Sequence, residues 1–224
     1  MFAFSFLAVA IAASPVFAAP APVAECSLPS QPIVAPAGQT QVVLPTSIPD
    51  FSALGVGVQN YSCTDAGNYT STGAFAEFFD ISWLDFDNIE GDALGVWEEL
   101  PSFVSVSRLI TALRFLGDID VLGQHYFISN PSGGLAAKFD FTSAGKTQGN
   151  PDAFVVAAKV GDLPAPTGPQ DVDWLALNAT SGELGSQVFR VNTRGGQPPS
   201  SCKPGSSPIS VKYAARYLFF GSSL

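Results

Sequence analysis

A single histidine, His125, sits in the stretch Gly123-Gln-His-Tyr-Phe127, so any mechanism that needs an imidazole must use it. As a general base it needs a carboxylate to orient it, with Asp140 the candidate partner, and a nucleophile within hydrogen-bond reach. The competing reading is a partly buried histidine bonded to backbone. No serine occupies a Gly-x-Ser-x-Gly elbow. Close carboxylates could act as acid and base on a glycosidic bond: Glu77 with Asp80, Asp85 with Asp87, Glu98 with Glu99, and Asp171 with Asp173. Such enzymes place their two carboxylates across a cleft, usually on separate elements, so linear proximity says little. The acidic stretch from Asp85 to Asp92 lacks the EF-hand pattern and reads as a solvated loop rather than a Ca²⁺ site.

Trp83, Trp97 and Trp174, with Tyr61, Tyr69 and Tyr126, could form a platform that stacks sugar rings. The simpler reading is core, and Trp83, Trp97, Tyr126 and Trp174 stand as the binding candidates. Gly55-Val-Gly57-Val-Gln-Asn60 has part of a dinucleotide fingerprint. Its third glycine is missing, no amphipathic helix follows, and no acidic residue closes a second strand. The glycines therefore suggest a β-bulge, or another backbone lying close over that face. No cofactor is expected. The cysteines are Cys26, Cys63 and Cys202, with no Cys-x-x-Cys or Cys/His spacing, which excludes a zinc site; no metal site is assigned. In an oxidising compartment two of the three should pair. A Cys63–Cys202 bridge would tie the early strands to the last one. Cys26 would then be a free thiol, an intermolecular partner or a competitor for either mate.

The elements that must hold these residues are strands. Leu54, Val56 and Val58 alternate with Gly55, Gly57, Gln59, Tyr61 and Cys63. Residues 73–83 alternate in the same way, and further runs occupy 124–129, 137–142, 153–160, 172–178, 183–193 and 209–220. In the last run Ile209, Val211, Tyr213, Ala215, Tyr217 and Phe219 share one face, with Lys212 and Arg216 on the other. The convincing helical candidate is 104–116, where Val106, Leu109, Ile110, Leu113 and Leu116 form a stripe that Gly117 stops. Pro/Gly turns separate the runs as in an antiparallel sandwich or barrel. The expected fold is all-β or β-dominant, with about eight to ten strands and at most one or two short helices. Three parts are expected: a signal peptide over 1–18, a Pro/Ala-rich arm over 19–50 contributing at most one edge strand, and a single β-rich domain over 51–224.

Residues 2–13 form an apolar run that ends in small residues, with Val16 and Ala18 at the −3 and −1 positions of a cleavage site. The run is shorter than the roughly 20 residues that span a bilayer, so the chain reads as secreted. Charged residues make up 13% of the chain, about half the usual share, and the net charge is −9. The ten Lys and Arg are scattered from Arg108 to Arg216, so no basic cluster exists for nucleic acid or anionic membrane. Three sequons, at Asn60, Asn68 and Asn178, could carry N-glycans, with Asn60 the poorest because it lies within a strand.

Several of these patterns together resemble one family: Gly55-Val-Gly-Val-Gln-Asn-Tyr-Ser-Cys63, Gly123-Gln-His-Tyr-Phe127, Val172-Asp-Trp-Leu175, Thr193-Arg-Gly-Gly-Gln-Pro-Pro-Ser-Ser-Cys202 and Val211-Lys-Tyr-Ala-Ala-Arg-Tyr217. The family is a domain of unknown function found in fungi and some bacteria, and the resemblance covers about residues 24–221. It implies an extracellular, fungal, β-rich protein. Relatives are sometimes labelled malate-dehydrogenase-like, but the residues supply no nucleotide site. Related chains carry a fourth cysteine where this one has Trp83, which implies that Cys26 has lost its mate and favours Cys63–Cys202. The expected role is a non-catalytic extracellular or cell-wall-associated one, with a glycan, cell-wall component or other small ligand as partner. The alternative is a small hydrolase or lyase using His125 with a carboxylate such as Asp140.

Overall fold

The computed structural model describes residues 33–82, 88–101, 104–106, 108 and 120–224. The expected signal segment, Cys26, Trp83, Asp85, Asp87 and most of the expected 104–116 helix lie outside the described residues. Eight strands follow one another: β1 (Phe51–Cys63), β2 (Tyr69–Asp80), β3 (Val121–Ser129), β4 (Leu135–Asp140), β5 (Phe154–Leu163), β6 (Trp174–Ser181), β7 (Gln187–Gly195) and β8 (Ile209–Phe220). Each pairs antiparallel with the next, and β8 returns to pair with β1 from Phe51↔Phe219 to Tyr61↔Ile209. The sheet is a closed up-and-down barrel, so no strand is an edge strand along its whole length.

One buried cluster draws Ala53, Phe78, Leu122, Phe139, Val155, Leu177, Val188 and Tyr217 from eight different strands, so it marks the inside of the barrel. Period-two alternation then fixes which residues look inward: Gly55, Gly57 and Gln59 on β1, Arg190 on β7, and Tyr213, Ala215 and Tyr217 on β8; on β3, past the register shift at its start, His125 looks inward because it pairs with Ala76 and Phe139. The strands read as nearly continuous apolar runs because much of their outer face is covered as well. Helix α1 (Ile89–Glu99) lays Ala93, Leu94 and Trp97 over Leu54, Val56 and Ala214. The arm sets Val42 against Trp174, Phe189, Val191 and Leu218. In the described arm residues no strand forms.

The two β1 glycines answer the bulge question. A Cβ on Gly57 would lie 2.0 Å from the Phe75 carbonyl oxygen, and one on Gly55 would lie 2.6 Å from the Tyr217 ring. Neighbouring backbone and ring occupy that face, while the actual register shift of β1 falls later, between Asn60 and Tyr61. Helix α1 occupies part of the stretch read as an acidic loop. Its acidic first turn, Glu90 and Asp92, suits the positive end of the helix dipole. No basic residue lies in its last turn; instead Lys212 of β8 donates to the carbonyls of Trp97 (2.6 Å) and Leu100 (2.8 Å). Glu90, only 1% exposed, pairs with Arg216 of β8 at 2.6 Å. Cys63 and Cys202 form a disulfide with Cα atoms 5.8 Å apart across 139 positions of sequence. It pins the β7–β8 connection to the turn between β1 and β2.

Candidate functional site

The barrel is filled at one end and hollow at the other. Where β2 turns to β3, β4 to β5, and β8 approaches β1, the rings of Phe78, Phe139, Phe141 and Phe219 pack with centroids 5.2–6.1 Å apart. Above this layer the Tyr213 and Tyr217 hydroxyls meet at 3.0 Å. Beyond them lies a cavity of about 960 Å³, within the size range of sites for small organic ligands. Its walls are apolar where Phe127, Leu135, Ala157, Leu175 and Leu177 face in, and polar where Gln59, Tyr61, Lys159, Asp162, Asp173 and Arg190 do. The β4–β5 ladder stops at Ala137↔Ala157, so β5 runs on through Lys159 without a β4 partner. That gap widens the hollow end.

Arg190 sets the electrostatics of the interior. Its Nε and Nη2 donate to the Asp173 carbonyl at 3.0 and 2.9 Å, which ties β7 to the start of β6. Its charge also lowers the pKa of Tyr217 and Tyr213, although burial dominates and leaves both phenols above their ordinary range. The Asp173 carboxyl is raised, first by burial and then by the charge and hydrogen bond of Asp162 beside it; Arg190 and Lys159 oppose that rise. Asp162 in turn pairs with Lys159. Gln59 is 6% exposed, and its carboxamide lies near enough to the Tyr213 hydroxyl to lower that phenol's pKa. Its Nε2 nevertheless makes no well-formed hydrogen bond. Tyr61 donates to the Gly196 carbonyl at 2.8 Å, holding the β7–β8 connection over the mouth.

His125 and Asp140 do not meet. His125 pairs in register with Phe139, so Asp140, one residue on, points to the opposite side of the sheet. His125 is inside, 4% exposed and stacked on Phe139 with centroids 4.5 Å apart. Its Nδ1 bonds the Lys138 carbonyl at 2.9 Å, which requires the proton on Nδ1. Burial, only partly offset by that bond, lowers its pKa to about 4, so the ring is neutral. Asp140, outside, accepts from Tyr126 (2.8 Å), Lys138 (2.9 Å) and Thr142. Burial would raise its pKa, but these bonds outweigh it and lower the value to about 2.

The described aromatic candidates do not assemble into a sugar-stacking face. Trp97 is 2% exposed and donates from Nε1 to the Gly57 carbonyl at 2.9 Å; Trp174 is 4% exposed beneath the arm. Tyr126 lies on the outer surface with Asp140. Among the described residues of that group Tyr61 alone lines the cavity, with Tyr69 edge-on at 6.4 Å. Among the sequence-adjacent carboxylates, Asp171 accepts from the Gly195 N–H at 2.6 Å and from Gln170 and Thr167, and is consumed in shaping a loop. Glu77 is bonded by Gln124 at 2.7 Å, and Glu98 and Glu99 are exposed at the end of α1. Of the sequons, Asn68 and Asn178 are exposed, while Asn60 accepts from Ser210 at 2.7 Å. The cavity residues that sequence reading missed are Gln59, Asp162 and Arg190. Arg190 carried a signal: it is a lone charge inside Val188-Phe189-Arg190-Val191.

DUF3455, a family of proteins of unknown function, matches residues 45–221. The chain belongs to that family. The matched segment spans all eight strands and every residue of the cavity, so the barrel and its hollow end are what the family match covers. No curated protein and no solved structure matches the chain.

Proposed function

We propose that this DUF3455 protein is a secreted, non-catalytic barrel that binds a small organic ligand in its hollow end. The observation that carries the reading is the cavity itself. An eight-stranded barrel can fill its interior with side chains or leave room for one small ligand. Here small side chains such as Ala137 and Ala157 leave room at one end, while a phenylalanine layer seals the other. Secretion rests on the N-terminal apolar segment with its small-residue cleavage pattern, and a structural disulfide suits an oxidising compartment. The neutral, ring-stacked His125 separated from Asp140 favours binding over the hydrolase alternative. A dehydrogenase role has no support from Gly55 and Gly57, whose open faces are filled by the Phe75 carbonyl and the Tyr217 ring.

The test uses the apolar dye N-phenyl-1-naphthylamine, which fluoresces when removed from water. The oxidised protein should bind it saturably with one-to-one stoichiometry. Leu175→Trp, which places a larger ring in the half-buried wall, should weaken binding about tenfold or more while the protein stays folded. Unsaturable binding, or equal binding by Leu175→Trp, refutes the reading.

A further inference from the structure

The ligand's chemistry can be taken further, on the footing that the hollow end is a binding site. Gln59 lines the cavity, and its buried Nε2 makes no well-formed hydrogen bond; donors of that kind are rare in native interiors. Asp162 Oδ1 is buried too, with no N–H donor from the protein on it. Its neighbour is the Asp173 carboxyl, which burial and the Asp162 charge raise above its ordinary value. The cavity thus offers one unfilled donor, on Gln59, and one unfilled acceptor, on Asp162. Charge on the ligand is poorly served. Lys159 is already paired with Asp162, the Nε–Nη2 side of Arg190 is committed to the Asp173 carbonyl, and a carboxylate or phosphate would meet the Asp162 and Asp173 carboxyls. A cation would meet both Arg190 and Lys159. The intervening wall of Phe127, Leu175 and Leu177 is apolar.

We propose that the cavity binds a neutral hydroxylated ring compound, with one ligand oxygen accepting from Gln59 Nε2 and one hydroxyl engaging the Asp162–Asp173 pair. A phenolic and an alicyclic terpene alcohol share this chemistry, and the experiment separates them. Calorimetric titrations of the full oxidised chain would use resveratrol, resveratrol trimethyl ether, which keeps the oxygens but loses every O–H, and the terpene diol sclareol. N-phenyl-1-naphthylamine serves as the measure of an intact cavity. Either resveratrol or sclareol should bind one-to-one, and whichever binds identifies the skeleton. If it is resveratrol, the trimethyl ether should bind about tenfold more weakly. Gln59→Leu and Asp162→Asn should each weaken the hydroxylated probe about tenfold while leaving the dye affinity unchanged, which also shows that both variants are folded. Hydroxylated probes bound equally by both variants would overturn the proposal, because those atoms would then be satisfied by water alone. Dye binding without hydroxylated-probe binding would overturn it and leave the binding-barrel reading standing. Failure of every probe, dye included, would remove both.

Discussion

His125 provides a sharp test of the barrel interior, because its burial converts into a pH dependence of stability. In the unfolded chain a histidine takes up a proton near pH 6.5. Inside the barrel, against Phe139 and with only the Lys138 carbonyl to receive its N–H, it resists protonation until about pH 4. The folded pKa lies below the unfolded one, so between these values the unfolded state holds the extra proton. Stability is therefore full above about pH 7, falls as the pH drops through 6.5, and levels off below 4. At about pH 4.5 the loss from this one group is about 2–3 kcal/mol, at roughly 1.36 kcal/mol per pKa unit. Replacing His125 by Phe keeps a flat ring in the stack and removes the titration. It forfeits the hydrogen bond to Lys138, which costs about 1 kcal/mol at every pH. Urea denaturation at about pH 7.5 and about pH 4.5 reads both effects. The wild type should lose about 2–3 kcal/mol more than the variant between the two conditions, so the variant should be the more stable at the acid end. Carboxylates such as Asp173 titrate in both proteins and cancel in the comparison. Parallel pH profiles for the two proteins would show that the imidazole is solvated or charged, and would refute its placement inside the barrel.

Two further outcomes follow from geometry. The Cys63–Cys202 bridge closes a loop of 139 positions, so Cys63→Ser should lower stability by roughly 4–5 kcal/mol in the chain-entropy account, measured by urea midpoint in oxidised and reduced protein. Gly57→Ala and Gly95→Ala should differ in sign. The first drives a methyl into the Phe75 carbonyl at 2.0 Å and should cost about 3 kcal/mol or more, whereas the second meets open space on α1 and should stabilise by about 0.5–1 kcal/mol. Equal melting temperatures for the two variants would contradict the close β1–β2 approach.

Much of the fold is legible in the sequence because alternation is a local property. The run 209–220 declares its two faces without help, and the other runs fall on strands β1 to β7. Barrel closure is not local. A sandwich satisfies the same alternation, and only the pairing of Phe51 with Phe219 distinguishes the two. Helix α1 was hidden for a similar reason. Its glycines at 91 and 95 lower helix propensity, and Glu90 is acceptable on a buried face only because Arg216 waits on β8.

The site shows where linear reading misleads and where it could succeed. Asp171 and Asp173 look like a pair at a spacing of two, yet Asp171 turns away to hold the Gly195 N–H, and Asp173 meets Asp162 across the β5–β6 connection. Gln59 carried no sequence signal, since a glutamine in an alternating strand is unremarked until its face is known to be inside. Arg190 did carry one, because a cation is rarely set between Phe189 and Val191 unless it has buried partners. The His125 and Asp140 case is the most instructive, because parity decides it. On adjacent antiparallel strands only register-matched positions, or positions two away, share a face. With His125 opposite Phe139, a carboxylate could reach the imidazole from position 137, 139 or 141, which here are Ala, Phe and Phe. The β4 face that meets His125 is wholly apolar, which explains why this histidine is neutral and why the chemistry of the barrel lies with Gln59, Arg190 and the Asp162–Asp173 pair instead.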